Sequence, residues 1–342
     1  MKVFQVQDAW SMDHLRVAER PLPQAGPGQV RLRMHAAALN YRDLLVPQRG
    51  YGNRMQALPL IMLSDGVGTV DQLGAGVTQY RIGQRLCPLL WTRWGGGPPD
   101  AFKLDQGLGC ETDGTMAEYL VLHESALAPA PAHLDHLQAA TLPTAALTAW
   151  RAVVTEAQVK PGDVVLVQGT GGVALFALQF ARLFGAHVIC TSSSHAKLER
   201  ARVLGAERLI HYRDNPEWGK TARAMAQELS GRDGADVVVE LGGEDTLPQS
   251  LRAVRAGGHV SLIGVLGGNR MNAPLGLVVT RAVRLQGITV GSRDDFMAMS
   301  RAIEASSMLP VVDERRFAFE QLPDALEYLR SGAHFGKVCI GF

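Results

Sequence analysis

The spacing of hydrophobic and polar residues changes about one third of the way along the chain. Up to about residue 123, short runs alternate between apolar and polar residues, as in 29–34, and turn-rich segments such as 66–70 and 74–77 separate them. This pattern is typical of strands with one buried face. From residue 164 onward, short continuous apolar runs alternate with longer segments of helical character, as in a buried parallel sheet with crossover helices. The chain is therefore predicted to contain a β-rich domain followed by an α/β domain.

Five strands and four helices are predicted in the α/β region. The strands are predicted at 164–167, 187–191, 208–212, 236–240 and 259–263, and the helices at 173–184, 197–204, 219–229 and 246–255. This alternation predicts a doubly wound parallel sheet, whose ligand lies outside the carboxyl ends of the strands. A helix at 322–329 and a strand at 337–340 are predicted to return to the β-rich domain.

A glycine-rich turn follows the first of these strands. Gly169 allows a tight turn, Gly171 lets the backbone approach a phosphate, and the small Ala174 permits close packing of helix and strand. The helix N-terminus adds N–H groups and the positive end of a dipole. These features predict binding of a dinucleotide pyrophosphate by Gly169, Thr170, Gly171, Gly172 and Val173.

Composition narrows the class of protein. At 342 residues the chain is long enough for about two domains, and its net charge of +1 without a basic tract gives no sign of a nucleic-acid partner. No apolar run approaches ~20 residues and the N-terminus already resembles a strand, so we expect no membrane partner, no signal peptide and a cytoplasmic location. The four cysteines are far apart and are expected to be ordinary core or near-surface residues.

A series of ordered motifs resembles the medium-chain dehydrogenase/reductase superfamily, and most closely its zinc-independent quinone oxidoreductase branch. The motifs are 38–43 (ALNYRD), 59–68 (PLIMLSDGVG), 113–119 (DGTMAEY), 147–150 (LTAW), 169–174 (GTGGVA) and 336–337 (GK). The resemblance implies a GroES-like catalytic domain at 1–124, a Rossmann cofactor domain at 125–294, a C-terminal segment at 295–342 that returns to the catalytic domain, and a substrate cleft between the domains. It also implies a homodimer, for which the strand predicted at 284–290 is a candidate edge.

The positions that match the zinc ligands of alcohol dehydrogenases in this superfamily do not suit zinc. Those relatives use a Cys, a His-Glu pair and a Cys or Asp, and the matching residues here are Asn40, Ser64-Asp65 and about Thr144. Only Asp65 is a good zinc ligand, whereas a catalytic site needs three protein ligands. The lobe that would hold a structural zinc contains only Cys87 and Cys110. We therefore predict no metal.

A metal-free site favours an acceptor that stabilises its own charge. Hydride transfer to a simple ketone develops an alkoxide whose conjugate acid has a pKa of roughly 15.7, whereas a quinol resembles tyrosine at ~10. This difference corresponds to ~8 kcal/mol of charge stabilisation. The predicted substrate is a quinone or other conjugated carbonyl. Zinc-free alcohol dehydrogenation, enoyl-thioester reduction and a non-enzymatic role as an NADPH-binding sensor or structural protein remain alternatives.

The candidate catalytic residues come from the first domain. The resemblance places Asn40 and Tyr41 where metal ligands would face the nicotinamide, and Tyr51 matches a tyrosine that related enoyl-thioester reductases use as a proton donor. The alternative for both tyrosines is structural packing. Trp91 and Trp94 are either an aromatic wall of the cleft or part of a lobe that packs on itself or on a partner.

NADPH is predicted as the cofactor. The segment 191–197 has no acid where an NAD site places one, and Ser192 and Lys197 offer a hydroxyl and a cation for a 2′-phosphate. Tyr212 or Arg213 would close the pocket, as in similar NADPH-dependent relatives; the alternative is that the serines only cap the next helix. The nicotinamide half is expected to contact Gly264, Val265, Leu266 and Arg293, and Gly242 is a further predicted cofactor contact. The alternative for Arg293 is a surface ion pair.

Overall fold

The computed structural model describes residues 1–268, 270–271 and 273–342. Its strands are β1 (Lys2–Val6), β2 (Leu15–Glu19), β3 (Gln29–Ala38), β4 (Leu60–Ile61), β5 (Asp65–Leu73), β6 (Arg85–Pro88), β7 (Tyr119–His123), β8 (Leu127–Pro129), β9 (Val164–Gln168), β10 (His187–Ser192), β11 (Arg208–His211), β12 (Ala235–Glu240), β13 (Val254–Leu262), β14 (Arg284–Gly287), β15 (Val312–Ala318) and β16 (Lys337–Gly341). Its α-helices are α1 (Arg42–Leu45), α2 (His136–Ala140), α3 (Leu147–Trp150), α4 (Gly172–Leu183), α5 (His195–Val203), α6 (Trp218–Ser230), α7 (Leu247–Ala253), α8 (Leu275–Thr280), α9 (Arg293–Ser306) and α10 (Leu322–Ser331). Two π-helical segments, Leu142–Ala146 and Arg151–Glu156, flank α3.

The chain forms two compact units. Unit 1 comprises Met1–Leu147 and Gly291–Phe342, and unit 2 comprises Thr148–Val290. Residues 125–147 therefore lie in unit 1, whereas the sequence predicts a boundary after residue 124. The reason is that α2 packs on β3, β5 and β16, which are strands of unit 1.

Unit 2 is built on a parallel sheet with the strand order β11-β10-β9-β12-β13-β14. The chain enters at the centre with β9, whose residues are all buried, and winds outward on both sides, which is the doubly wound order predicted from the sequence. One boundary differs from the prediction: the helix expected to reach residue 255 ends at Ala253, and β13 begins at Val254. Val254 pairs with Ala235 ahead of a bulge, so Gly257 and Gly258 lie within the strand instead of leading into it.

Unit 1 consists mainly of antiparallel sheet. A three-stranded sheet has the order β2-β1-β4, and a larger one has the order β15-β16-β3-β5-β6-β8, with β7 also paired to β3. The C-terminal strand β16 pairs with β3, bringing Ile340 opposite Ala37. The last strand of the chain therefore shares a sheet with β3 of the first domain.

The four cysteines lie in the interior of the protein. All four cysteines are free and buried. Burial raises the pKa of the Cys110 thiol to about 11 and that of Cys190 to about 12, so these thiols are neutral and behave as core residues. No described helix is long and apolar enough to cross a membrane.

Candidate functional site

The glycine-rich turn of unit 2 has the geometry of a phosphate cradle. Gly169 adopts a left-handed backbone with φ of 79°, and a Cβ at this position would meet no atom within 4 Å. Its N–H donates to the carbonyl oxygen of Thr191 at 2.7 Å, which ties the turn to the end of β10. Helix α4 begins directly afterwards with Gly171 as its N-cap, and the first N–H groups of a helix have no intrahelical acceptor. An anion at this turn would therefore meet aligned N–H donors and open space.

Two of the residues predicted to bind a 2′-phosphate, Ser192 and Tyr212, contact each other at the end of β10. Ser192 ends β10, and its carbonyl oxygen accepts the N–H of Tyr212 at 3.1 Å. The capping alternative is observed two residues later, because the hydroxyl oxygen of Ser194 accepts the N–H of Lys197 at 3.4 Å. The Ser192 hydroxyl oxygen accepts the N–H of Ser194 at 3.3 Å, which does not use its O–H as a donor, so the 2′-phosphate assignment of Ser192, Lys197 and Tyr212 stays a prediction.

A buried carboxylate orders the loop that follows β12. Glu240 is fully buried, and its Oε1 accepts the N–H groups of Gly242 at 2.8 Å and Gly243 at 3.0 Å. Its Oε2 accepts the side-chain amide of Gln168 at 2.7 Å and the hydroxyl of Ser250. These donors solvate the charge inside the protein and fix the position of Gly242, a predicted cofactor contact. The sequence pattern showed Glu240 only as the end of a strand.

The second residue of the loop after β13 must be glycine. A Cβ on Gly264 would lie 2.0 Å from the carbonyl oxygen of Leu241, which is backbone and cannot give way. The next two residues, Val265 and Leu266, are about half exposed. Apolar side chains at the carboxyl end of the sheet suit the less polar face of a nicotinamide, so the predicted role of these residues remains consistent with their position.

Two residues predicted at the site have structural contacts within unit 1. The guanidinium of Arg293 donates to the carbonyl oxygen of Leu127 at 2.9 Å and lies 3.2 Å from the hydroxyl of Tyr80. Trp94 is buried, and its indole N–H donates to the carbonyl oxygen of Gly97 at 2.9 Å. Trp94 therefore belongs to a lobe that packs on itself, and the aromatic wall predicted as one reading is wrong for it. The role of Arg293 at the nicotinamide stays a prediction.

Two of the residues that match zinc ligands in related dehydrogenases, Asn40 and Asp65, contact the buried ammonium of Lys337. The ammonium of Lys337 donates to Asn40 Oδ1 at 2.7 Å and to Asp65 Oδ2 at 3.3 Å, and Lys337 and Asp65 are both buried. The Asn40 amide also donates to Asp65 Oδ2 at 2.9 Å, so both ends of its side chain are engaged. Burial raises the pKa of Asp65, and the charge of Lys337 opposes that rise. These contacts fix the side chain of Asn40, whose catalytic role stays a prediction.

These residues do not fit a zinc ion. The only acidic ligand, Asp65, already binds an ammonium, and a divalent cation beside Lys337 would be repelled. Ser64 and Thr144 offer neutral hydroxyls, which are poor substitutes for Cys or His. The hydroxyl of Ser64 is buried and has no hydrogen-bond partner among the described residues. The chemistry of the donor set thus disfavours zinc at this place.

The candidate proton donors of unit 1 differ in their surroundings. Tyr41 is 46% exposed, whereas Tyr51 is partly buried against the core with the Arg42 guanidinium 5.6 Å from its ring centroid. Burial raises the pKa of Tyr51, and Arg42 opposes the rise. Tyr51 therefore stays a neutral phenol at physiological pH and can donate a hydrogen bond.

The carboxylate of Asp43 fixes the backbone at Asn40. It is fully buried, and its Oδ2 accepts the backbone N–H of Asn40 at 2.7 Å. Burial raises the pKa of Asp43 to about 6. Arg42 donates to the carbonyl oxygen of Leu108 at 2.7 Å, so both residues form hydrogen bonds within loops.

Comparison with known proteins identifies the family. The sequence model for "Alcohol dehydrogenase GroES-like domain" matches residues 26–132, and that for "Zinc-binding dehydrogenase" matches residues 172–305. A zinc-type alcohol dehydrogenase-like protein of Schizosaccharomyces pombe is 41% identical over 96% of this chain and 95% of its own length.

Solved structures agree with this assignment. An NAD-dependent alcohol dehydrogenase is 33% identical, with a TM-score of 0.89 and coverage of 100% of both chains. The crotonyl-CoA carboxylase/reductase AntE in complex with NADP is 25% identical, with a TM-score of 0.88 and coverage of 100% of this chain and 94% of that chain. With its doubly wound cofactor sheet and GroES-like domain, the chain belongs to the medium-chain dehydrogenase/reductase superfamily and is an NAD(P)-dependent oxidoreductase.

Proposed function

We propose that this enzyme is a zinc-independent, NADPH-dependent reductase of quinones or other conjugated carbonyls. The observation that carries the proposal is the ion pair of Lys337 with Asp65, bridged by Asn40, at the positions where zinc-containing relatives hold their metal. Without a Lewis acid, the site suits an acceptor that spreads its developing charge over a conjugated system.

The preference for NADPH rests on the end of β10. Ser192 and Lys197 supply a hydroxyl and a cation, and the segment 191–197 contains no carboxylate to bind a free ribose hydroxyl. NADPH supplies the hydride when it is bound. The chain's own part is to hold the pyrophosphate at Gly169–Val173 and the 2′-phosphate beside Ser192.

The hydrogen-bond donors to the reduced acceptor are proposed to be Tyr41 and Tyr51. Tyr41 exposes its ring, and Tyr51 keeps its proton because burial raises its pKa. A neutral phenol beside the developing oxyanion stabilises it by donating a hydrogen bond.

An acceptor panel tests the reaction. Oxidation of NADPH is followed with a quinone, an enone, a simple ketone and crotonyl-CoA, before and after dialysis against a chelator. We expect turnover with the conjugated acceptors that the chelator leaves unchanged. Turnover of the simple ketone alone would refute the proposal. Loss of turnover of the conjugated acceptors on chelation, with recovery on added zinc, would also refute it.

Tyrosine variants test the donors. Removing an oxyanion donor typically lowers kcat by about 10²-fold, so Tyr41→Phe or Tyr51→Phe should reduce kcat while the Kd for NADPH stays unchanged. Tyr119→Phe is the matched control, because Tyr119 lies in β7 with Arg31 over its ring, 5.5 Å from the centroid. Unchanged kcat in both test variants would remove these tyrosines from the mechanism.

Enoyl-thioester reduction is the second candidate, because the similar AntE structure belongs to a crotonyl-CoA carboxylase/reductase. A crotonyl thioester is also a conjugated carbonyl, so it needs the same metal-free stabilisation. A kcat/KM for crotonyl-CoA well above that for simple quinones would assign the enzyme to this class.

A homodimer is proposed through the edge of the cofactor sheet. Strand β14 lies at that edge but ends at Gly287, so it is shorter than the predicted 284–290. In the neighbouring helix α8, Leu275 is 67% exposed and Val279 is 77% exposed. Light scattering should give twice the chain mass of 36.9 kDa, and Val279→Lys should shift the protein towards monomer.

A further inference from the structure

Two imidazoles and one carboxylate meet in unit 2. His195 begins α5, His211 ends β11, and Asp214 lies in the following loop. His195 Nε2 is 3.0 Å from Asp214 Oδ2, and His211 Nδ1 is 2.8 Å from the same oxygen. One ligand atom from each residue lies within 4.8 Å of the others, and no other group of three His, Cys, Asp or Glu residues in the described part of the chain meets this condition.

The two imidazole rings are stacked. Their centroids are 4.0 Å apart and their planes differ by 8°. A metal ion binds an imidazole nitrogen through a lone pair that lies in the ring plane. Because the lone pairs of parallel rings do not converge, binding of one ion by both rings requires the exposed His195 ring to turn. His211 Nδ1 is buried and lacks an aligned hydrogen-bond partner among the described residues, although it is close to Asp214.

We propose that His195, His211 and Asp214 bind a Zn²⁺ ion. Tetrahedral zinc with bonds of 2.0–2.2 Å holds its ligand atoms about 3.3 Å apart, so the observed separations from Asp214 would widen by a few tenths of an ångström. The side chains of Asp214 and His195 are 64% and 75% exposed, which lets the carboxylate move and lets water supply the fourth ligand. A proton on either coordinating nitrogen is released to solvent when the metal binds.

This site is separate from the zinc positions of related dehydrogenases, on which the prediction of no metal is based. Those positions correspond to residues of unit 1, whereas His211 pairs with Ser192 in the sheet of unit 2. Lys197 and Arg213 are nearby in sequence, and the N-terminus of α5 is also electropositive, so these features weaken cation binding. The charge of Asp214 offsets them, and an open site with three protein ligands should bind zinc more weakly than a closed structural site.

Zinc titration of the full-length chain tests the proposal. The protein is first stripped with a chelator and is then titrated without cofactor against a chromogenic zinc chelator. We expect one zinc per chain, with at least tenfold weaker binding in His211→Gln and in Asp214→Asn. His187→Gln is the matched control, because His187 lies in the same unit and contacts Glu207 at 2.8 Å. Absence of zinc binding, or equal affinity in wild type and both site variants, would overturn the proposal.

Thermal unfolding gives an independent measurement. Zinc should raise the midpoint of the wild type and of His187→Gln, because a ligand that binds the folded state stabilises it, and should leave His211→Gln unchanged. If His211→Gln does not fold, His195→Gln replaces it, since that side chain is mostly exposed. Equal zinc-induced shifts in the wild type and the site variant would count against the cluster. Both experiments omit cofactor, so their outcome is independent of whether the enzyme prefers NADPH.

Discussion

Replacing Lys337 by Met isolates the ion pair on which the proposed chemistry rests. The Lys337 side chain is 3% exposed, and its ammonium donates to the carbonyl oxygen of Leu39 at 2.5 Å as well as to Asn40 and Asp65. Methionine keeps the length of the chain but removes the charge, which leaves the fully buried Asp65 without a cation. Breaking a buried pair in this way costs about 3–5 kcal/mol, or roughly a 10²- to 10⁴-fold change in the folded-to-unfolded ratio.

The effect should depend on pH in a defined direction. Without Lys337, the folded-state pKa of Asp65, already raised by burial, rises further. A carboxyl group whose pKa is higher in the folded state than in the unfolded state favours folding when it is protonated. The variant should therefore be most destabilised above the folded-state pKa, and the loss should shrink as pH falls towards the unfolded value.

Urea denaturation at pH 5 and pH 8 measures this effect, with hydrogen exchange of β16 amides reporting on unit 1. Arg330→Met is the control, because Arg330 and Glu327 form an exposed pair, and such pairs contribute about 0–1 kcal/mol. The double variant Lys337→Met/Asp65→Leu removes both charges and should regain part of the stability. A loss below ~1 kcal/mol for Lys337→Met at pH 8, or no recovery in the double variant, would refute the reasoning.

Three further predictions follow from individual contacts. Lys197→Ala should raise the Kd for NADPH about 10- to 100-fold, because a hydrogen bond to a charged group is worth ~1.5–3 kcal/mol, and should change the Kd for NADH little. Fluorescence titration measures both constants, and an equal change for the two cofactors would contradict the 2′-phosphate assignment. Burial raises the pKa of Asp43 to about 6, so protonated Asp43 contributes roughly 3 kcal/mol to the free energy of unfolding. This contribution is fully present below the unfolded-state pKa and is lost as pH rises through about 6. Asp43→Asn should flatten the unfolding free energy between pH 4 and 7, and an unchanged slope would show that Asp43 is not responsible. Glu240→Ala removes the acceptor of two loop N–H groups and should speed hydrogen exchange at 241–246, whereas Glu228→Ala, whose side chain is 65% exposed, should not.

Local patterns determined most of the fold of unit 2. The apolar run 164–167 and the glycines after it predict a buried strand and a phosphate-binding turn, and the structure places β9 at the centre of the parallel sheet. These features can be predicted because a strand, its turn and the following helix each depend on the pattern of adjacent residues. The helical pattern continues to residue 255, but the helix ends at Ala253 because Val254 pairs with Ala235 of a neighbouring strand ahead of a bulge.

Only part of the candidate site could be predicted from short stretches of sequence. Asn40, Ser64, Asp65 and Thr144 already argue against zinc by residue type alone. The sequence did not indicate that Lys337, nearly three hundred positions away, places its ammonium on Asn40 and Asp65, because that contact depends on the pairing of β16 with β3.

The same distinction explains the other residues that the sequence did not single out. Glu240 finds its donors on the turn after β12 and on two other elements, and His195 meets His211 only because β10 and β11 are neighbours in the sheet. The sequence by itself determined the order of strands and helices, the phosphate-binding turn and the loss of the usual zinc ligands, since these depend on residue type and short-range spacing. Tertiary structure decided which charges meet in the interior, because electrostatic interactions depend on distances in space and not on separation along the chain.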